Sequence, residues 1–406
     1  MKLSSVNFFG IGSICVGIGA TVLAIMPAAA VTAYAFIGGG VLGMITYFID
    51  KSKFDVLWRN LKLGVSESYP ILKRKEQKQG YILYEFTLPS GLCLEDFKKR
   101  QDAIEQFCGK SIELSYGFKN LLLKEYDAEK THYTYEPIIV KHPAEIITGY
   151  NRIGKMETID LSRGKPHMLL VGMSGSGKST ALRAILTNII LQNKGIELFL
   201  GDLKNGVELN LFEDCEAVKG FAKTRPQLEQ MLKDVESEMY RRYEMFERFR
   251  VRGIEQYNKK HKEKLTYQLV VIDEFADLTF DKKSPSNDLL LSLSEKARAA
   301  GIYLLLCTQR PDKEVLSGRI RANICNKLCL LVENDVNSKL IIGHGGLEKL
   351  RGRGHGVLVK DSEEIYVQCP DLDPDRAEQL LKPYYVKKPK AAPKPQITGF
   401  DFLDLL

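Results

Sequence analysis

From Val6 to Ile49 this 406-residue chain contains no aspartate, glutamate, lysine or arginine. That absence argues against a charged surface segment, and since a bilayer core needs about 20 apolar residues per helical crossing, the run is long enough to cross twice. Met26-Pro27 falls near its middle, where proline favours a break, so a transmembrane helical hairpin of Val6 to Ile25 and Ala29 to Ile49 is predicted. Lys2 precedes the run, and Lys51 and Lys53 follow it. Basic flanks favour the inner face, which predicts a multi-pass cell-membrane anchor with both termini cytoplasmic. The competing reading is a cleaved signal peptide, with Pro27-Ala28-Ala29-Ala30 as its small-residue site; the apolar run continues well past that point.

There is also no C-x-x-C pair and no histidine at zinc-finger spacing among the eight cysteines and six histidines, which argues against a thioredoxin-type motif or a zinc finger. Cys15, Cys93, Cys108, Cys215, Cys307, Cys325, Cys329 and Cys369 read as scattered reduced thiols; Cys325 and Cys329, four apart in an apolar stretch, read as buried small residues, with pairing or metal binding as the alternative. Nor does one sign of charge dominate. The 58 basic and 51 acidic side chains leave a net +7, too mild to identify a nucleic-acid partner by itself, and no base-reading motif is visible.

What is present suits two folded domains plus appendages, with 44% apolar residues to build their cores. Residues 51–136 read as a small α+β module: a strand at Tyr81 to Phe86 ending at Pro89-Ser90-Gly91, a helix from Leu94 to Phe107 with Phe97, Ile104 and Phe107 at helical spacing, then strands at Ile112 to Tyr116 and Leu121 to Leu123. Residues 137–383 switch to short apolar strands separated by helices, the pattern of an α/β domain with a mainly parallel, helix-covered sheet. Its predicted strands are Met168 to Val171, Ile196 to Leu200, Leu269 to Ile272, Ile302 to Cys307 and Leu328 to Val332, with a late hairpin at Gly356 to Val359 and Ile365 to Gln368. A helix from Arg225 to Arg250 carries Arg241, Arg242, Arg248 and Arg250, with Arg252 beyond; such a run reads as a solvated face. Residues 384–406 combine a Lys/Pro linker with the apolar stretch Ile397 to Leu406, a predicted docking peptide.

Gly172-Met173-Ser174-Gly175-Ser176-Gly177-Lys178-Ser179 fits G-x-x-x-x-G-K-[ST], follows an apolar strand and opens a helix from Thr180. Glycines let backbone N–H groups close around phosphates, Lys178 would reach the β/γ oxygens of ATP, and Ser179 would coordinate magnesium. Leu269 to Ile272 is an apolar strand ending in Asp273 and Glu274, where Asp273 would help hold magnesium and Glu274 would orient and activate the attacking water. The strand from Ile302 to Thr308 delivers Gln309 and Arg310 to the same end, as a polar sensor or as a simple strand terminus before Pro311.

These motifs, together with Gly201-Asp202-Leu203-Lys204-Asn205-Gly206-Val207-Glu208-Leu209, Lys296-Ala297-Arg298-Ala299-Ala300-Gly301-Ile302, Thr308-Gln309-Arg310-Pro311 and Arg319-Ile320-Arg321-Ala322-Asn323-Ile324, stand in the order found in the FtsK/SpoIIIE translocase superfamily, which the chain resembles over roughly residues 137–370. The resemblance implies a RecA-like P-loop ATPase motor that threads DNA through a homo-hexamer, with Gln309 as γ-phosphate sensor and Arg298 as an arginine finger reaching the neighbouring subunit's ATP. Lys282, Lys283 and Arg321 are candidate pore residues. His355 stands where the family usually has an acidic residue, and little chain follows the motor for a winged-helix DNA reader.

The layout resembles the small membrane-anchored conjugation coupling proteins of Gram-positive plasmids and integrative elements. That implies delivery of DNA to a secretion channel, with the C-terminal peptide docking a relaxase complex or channel component. Alternatives are a cell-division or sporulation chromosome pump, a type VII-like protein-secretion ATPase, and a scaffold that binds nucleotide without hydrolysing it. Lys178→Ala is expected to abolish turnover with the fold intact, because it removes a phosphate contact.

Overall fold

The computed structural model describes residues 47, 49–117, 120–127, 130–192, 195–204, 208–279, 285–311, 318–361 and 363–386. The expected membrane hairpin up to residue 46, Lys282 and Lys283, and the linker and docking peptide from residue 387 lie outside the described residues. Among the described residues, no helix is long and apolar enough to cross a membrane.

Two compact units emerge, one of residues 1–130 with 152–155, the other of 131–151 with 156–406. In the first, helix α1 (49–60) inserts Phe54, Leu57 and Trp58 into a core against an antiparallel sheet ordered β1-β2-β4-β3. Those strands are β1 (Ile71–Lys78), β2 (Tyr81–Thr87), β3 (Ile112–Gly117) and β4 (Asn120–Tyr126). Trp58 meets Phe86 and Phe97 edge-on at ring separations of 5.3 and 5.5 Å, an arrangement that aligns positive ring edges with negative faces. The single helix expected from Leu94 to Phe107 is two, α2 (Leu94–Lys98) and α3 (Gln101–Cys108). Phe97 and Ile104 are both buried seven residues apart, so the apolar spacing survives the break at Lys99-Arg100 and could not reveal it.

The second unit is built on ten strands: β5 (Glu145–Asn151), β6 (Met156–Asp160), β7 (Met168–Val171), β8 (Ile196–Asp202), β9 (Val218–Ala222), β10 (Tyr267–Asp273), β11 (Ile302–Thr308), β12 (Asn326–Leu330), β13 (His355–Lys360) and β14 (Glu363–Gln368). Their order is β6-β5-β14-β13-β12-β7-β11-β10-β8-β9, parallel from β12 to β9 and antiparallel from β13 outward. The sheet is therefore mixed, with a parallel half that carries the motifs and an antiparallel half larger than the one hairpin expected. Every residue of β7, β10 and β11 is buried, as parallel strands covered on both faces must be.

Side chains alternate between two cores. Leu269 and Val271 face one that includes Ile185 and Ile189 of α4 (Lys178–Gln192) and Leu381 of the late helix Pro374–Leu381. Val270 and Ile272 face the other, with Leu228 and Leu232 of α5 (Arg225–Arg248) and Leu290 and Leu293 of α8 (Pro285–Lys296). Between α5 and α8 lie α6 (Ile254–Lys260) and α7 (Ala276–Thr279). A capping box between Thr224 and Gln227 starts α5.

The basic run on α5 is not uniformly solvated. Arg242 is 2% exposed, its guanidinium held by Glu238 (2.7 Å), Thr266 O (2.9 Å) and Ala300 O (2.8 Å), so its hydrogen-bond needs are met inside the protein. His167 is likewise internal: Nδ1 accepts from Leu304 N–H and Nε2 donates to Ser294 O, both at 3.1 Å, tying β11 to α8. The seven cysteines among the described residues are free thiols, and no metal-ligating cluster occurs among the described residues.

Candidate nucleotide cleft

Strand order sets the location. β7 lies between β11 and β12; the chain leaves it for β8 and β9 on one side, returns through β10 to β11, and then crosses to β12 on the other side, so a crevice opens at the carboxyl ends of these strands. The loop leaving β7 is pinned to both neighbours. Gly172 N–H donates to Thr308 O at the end of β11 (3.2 Å) and Met173 N–H donates to Leu331 O just past β12 (2.9 Å). β12 runs Asn326–Leu330, where Leu328 to Val332 was expected.

Gly175 and Gly177 turn the loop at φ +78° and +100°, a region that favours glycine. A Cβ on Gly172 would stand 2.9 Å from Leu330 Cβ, and one on Gly177 would stand 2.9 Å from Gly354 Cα. The backbone is thus drawn into a tight cradle leading to α4, whose first-turn N–H groups favour an anion. Met173, Ser174, Gly175, Gly177, Lys178, Ser179 and Thr180 line a cleft of about 830 Å³. Ser176 points inward and is fully buried.

Lys178 is 4% exposed, and its ammonium pairs with Asp273 Oδ1 at the end of β10. Burial works to depress the ammonium, but Cys307, Asp273 and Glu274 oppose it and hold Lys178 above the ordinary lysine range. Asp273 Oδ2 and Ser176 Oγ are buried without a hydrogen-bond partner among the described residues. An unpartnered carboxylate oxygen next to the loop's lysine is the kind of hard oxygen donor that magnesium takes up, so the donor set fits the implied ATP and Mg2+ pair, with Ser179 on the same cleft.

Glu274 sits at φ +58°, which is costly for a residue with a Cβ. Its surroundings hold it there: Oε1 accepts from Thr308 Oγ1 (2.8 Å) and Oε2 from Gln309 N–H (3.0 Å), while Lys204 Nζ stands 3.8 Å from Oε2. Gln309 also lines the cleft. The buried Asp202 carboxylate accepts the backbone N–H groups of Lys204, Glu208 and Leu209 at 2.9–3.0 Å.

Two predicted positions fall elsewhere. Arg298 is exposed and precedes β11, and since that strand rises roughly 3.3 Å per residue, its seven residues separate Arg298 from Gln309 by about 20 Å. Arg321, half-buried on Gly318–Asn323, donates to Leu340 O at 3.4 Å. One element of the cleft went unread: the turn Arg351-Gly352-Arg353-Gly354 leading into β13, which packs on the loop through Gly354 N–H to Ser176 O at 2.7 Å.

Residues 121–313 match the FtsK/SpoIIIE family. The chain is 35% identical over 280 residues to DNA translocase FtsK of Bacillus cereus, covering 65% of this chain and 35% of that protein. It is 36% identical over 248 residues to DNA translocase SpoIIIE of Bacillus subtilis, covering 57% and 31%. It thus spans about a third of the length of these curated relatives. Among solved structures, the pCW3 conjugation coupling protein TcpA, a monomer with ATPgS, superposes with a TM-score of 0.59 at 23% identity over 82% of this chain and 98% of that one. The cytoplasmic domain of the Thermomonospora curvata type VII secretion ATPase EccC gives 0.54 at 19% identity over 64% and 33%. The phosphate loop and the acidic end of β10 fall within the segment similar to the FtsK/SpoIIIE family, and the fold is a mixed α/β one that resembles the RecA-like P-loop ATPases.

Proposed function

We propose that this chain hydrolyses ATP in the cleft at the end of β7 and uses that energy to move DNA as a membrane-anchored conjugation coupling protein. The observation that carries the ATPase reading is Glu274: a buried carboxylate kept in a costly backbone conformation and aimed by Thr308 and Gln309, beside a phosphate-type loop. A site that only bound nucleotide would need no such group.

In this reading the loop N–H groups and the start of α4 receive the phosphates, and Lys178 neutralises their charge. Ser179 and Asp273 would hold magnesium, which offsets phosphate charge when bound. Glu274 orients a water and takes its proton, and Gln309 reports on the γ-phosphate to the end of β11. Arg298, before the amino end of β11 and so at the opposite end of the strands, does not reach its own cleft and acts on a neighbouring copy in a ring, a homo-hexamer by family resemblance. Burial in a dry site strengthens each of these charge interactions.

The coupling role is supported by the anchor predicted at the N-terminus, the small α+β unit, and a fold shared along nearly the whole of the TcpA chain. A chromosome translocase of division or sporulation is the second reading, favoured by the identity to FtsK and SpoIIIE. The test is ATP turnover and sedimentation of the purified full chain with no nucleic acid, single-stranded DNA and double-stranded DNA. DNA-stimulated turnover in a hexamer is expected, with Arg298→Ala rings inactive and partly rescued by mixing with Lys178→Ala subunits. An assembled hexamer indifferent to both DNAs would overturn the DNA reading and favour protein export.

A further inference from the structure

The turn Arg351-Gly352-Arg353-Gly354 has three consecutive residues in the left-handed region, at φ +75°, +50° and +83°. Two are glycines, which accept it freely, but Arg353 is not, and a non-glycine residue held there is strained unless its surroundings over-determine it. They do so at both ends. Gly354 N–H donates to Ser176 O (2.7 Å), Gly354 O accepts from Cys369 N–H (2.8 Å), and Gln368 Nε2 donates to Arg353 O (2.7 Å). The backbone is thus held at the Arg353 carbonyl and at Gly354 beyond it, whereas the Arg353 side chain is exposed on the cleft and has no ion pair or hydrogen bond among the described residues.

Strand order says which part of a nucleotide this group would meet. Reading across the sheet, β11 with Gln309, β7 with the phosphate loop, β12 and then β13 follow one another, so the turn and Gln309 flank the loop from opposite sides. Its contacts are with the middle of the loop, at Ser176 and Gly177, with Gly175 O 3.8 Å from where a Cβ on Gly352 would be. That stretch of a phosphate loop cradles the α- and β-phosphates, while the lysine and the acidic strand end serve the γ side. Arginine suits such a task, because its planar fork can donate two hydrogen bonds to one phosphate.

We propose that Arg353 is a nucleotide-binding residue in cis, gripping the α/β-phosphate portion common to ATP and ADP. It rests on the ATPase reading above and adds a second cation, on the side of the loop away from the water-activating group. Its signature is a loss of affinity shared by both nucleotides with little change in the chemical step, unlike Arg298, whose loss would spare binding and stop turnover.

The experiment is titration of the full chain with ADP and with a non-hydrolysable ATP analogue, together with steady-state turnover, for wild type, Arg353→Gly and Arg353→Lys. Glycine removes the side chain while suiting φ +50°, so backbone strain cannot explain a loss. A hydrogen-bonded charge is worth enough to weaken both ligands about tenfold or more in Arg353→Gly, raising KM with kcat held within about twofold, and lysine should restore part of the loss. Unchanged binding of both ligands, or weakening of the ATP analogue alone, would overturn the assignment. If wild type bound neither nucleotide, the ATPase reading would fall first and this one with it.

Discussion

Lys178→Ala tests a consequence of burial that the motif alone does not reveal. The ammonium and the Asp273 carboxylate are 3% and 1% exposed as side chains, and they pair with each other. Truncating the lysine therefore strands a buried carboxylate whose second oxygen already lacks a partner. Breaking a buried pair from one side typically costs about 3–5 kcal/mol, a large share of a domain's stability. The variant should thus be destabilised as well as inactive, contrary to the expectation that only a phosphate contact is lost. Adding Asp273→Asn should recover a substantial part of the loss, since it removes the stranded charge.

Trp58 is the single tryptophan and lies in the other unit, so its fluorescence is the wrong probe; pulse proteolysis with cleavage sites mapped to residues 156–386 would follow the relevant unfolding. The pH dependence has a definite sign. Lys178 is held above its ordinary value of 10.5, so the pair's contribution is complete below that value and declines as pH rises through the higher folded one. The difference between wild type and Lys178→Ala should be flat across neutral pH and shrink only in strong alkali. Equal stability of the two proteins at neutral pH would refute the argument.

Three further outcomes are expected. Glu274→Gln should retain nucleotide binding while slowing turnover at least a hundredfold, measured by single-turnover hydrolysis; near-normal rates would remove Glu274 from the chemistry. Gly177→Ala should abolish nucleotide binding in a calorimetric titration, because φ +100° and the Gly354 backbone both exclude a Cβ. Burial holds His167 down at about 4 against an ordinary 6.5. Below pH 6.5 the unfolded chain therefore binds a proton that the folded one refuses, and stability should fall by up to about 3 kcal/mol towards pH 4. Denaturant titrations of His167→Gln should lack this slope.

The parallel half of the sheet was readable because buried strands such as Leu269–Ile272 are runs of apolar residues that end in chemistry-bearing side chains. β1 was not: Leu72 is the one fully buried residue of Ile71–Lys78, and an edge strand needs no more, so the segment carries no apolar alternation to read. β5 and β6 form a local hairpin, but what joins that hairpin to the sheet is remote: Val367 and Gln368 pair with Asn151 and Tyr150, a contact no local pattern encodes. At the cleft, residues in a contiguous motif were legible, whereas Arg353 and Lys204 reach it only through the path of the fold. Arg242 was misread for the same reason, since its acceptors Thr266 and Ala300 lie far along the chain.

β11 is bonded in register to β10 on one side and β7 on the other, and all seven of its residues are buried. Side chains along it can be exchanged for others of similar volume, but the strand cannot change length. A single inserted residue would send every following side chain to the opposite core and carry Gln309 away from Glu274. Variation among descendants of this chain should therefore appear here as substitutions, with insertions and deletions displaced to the flanking loops.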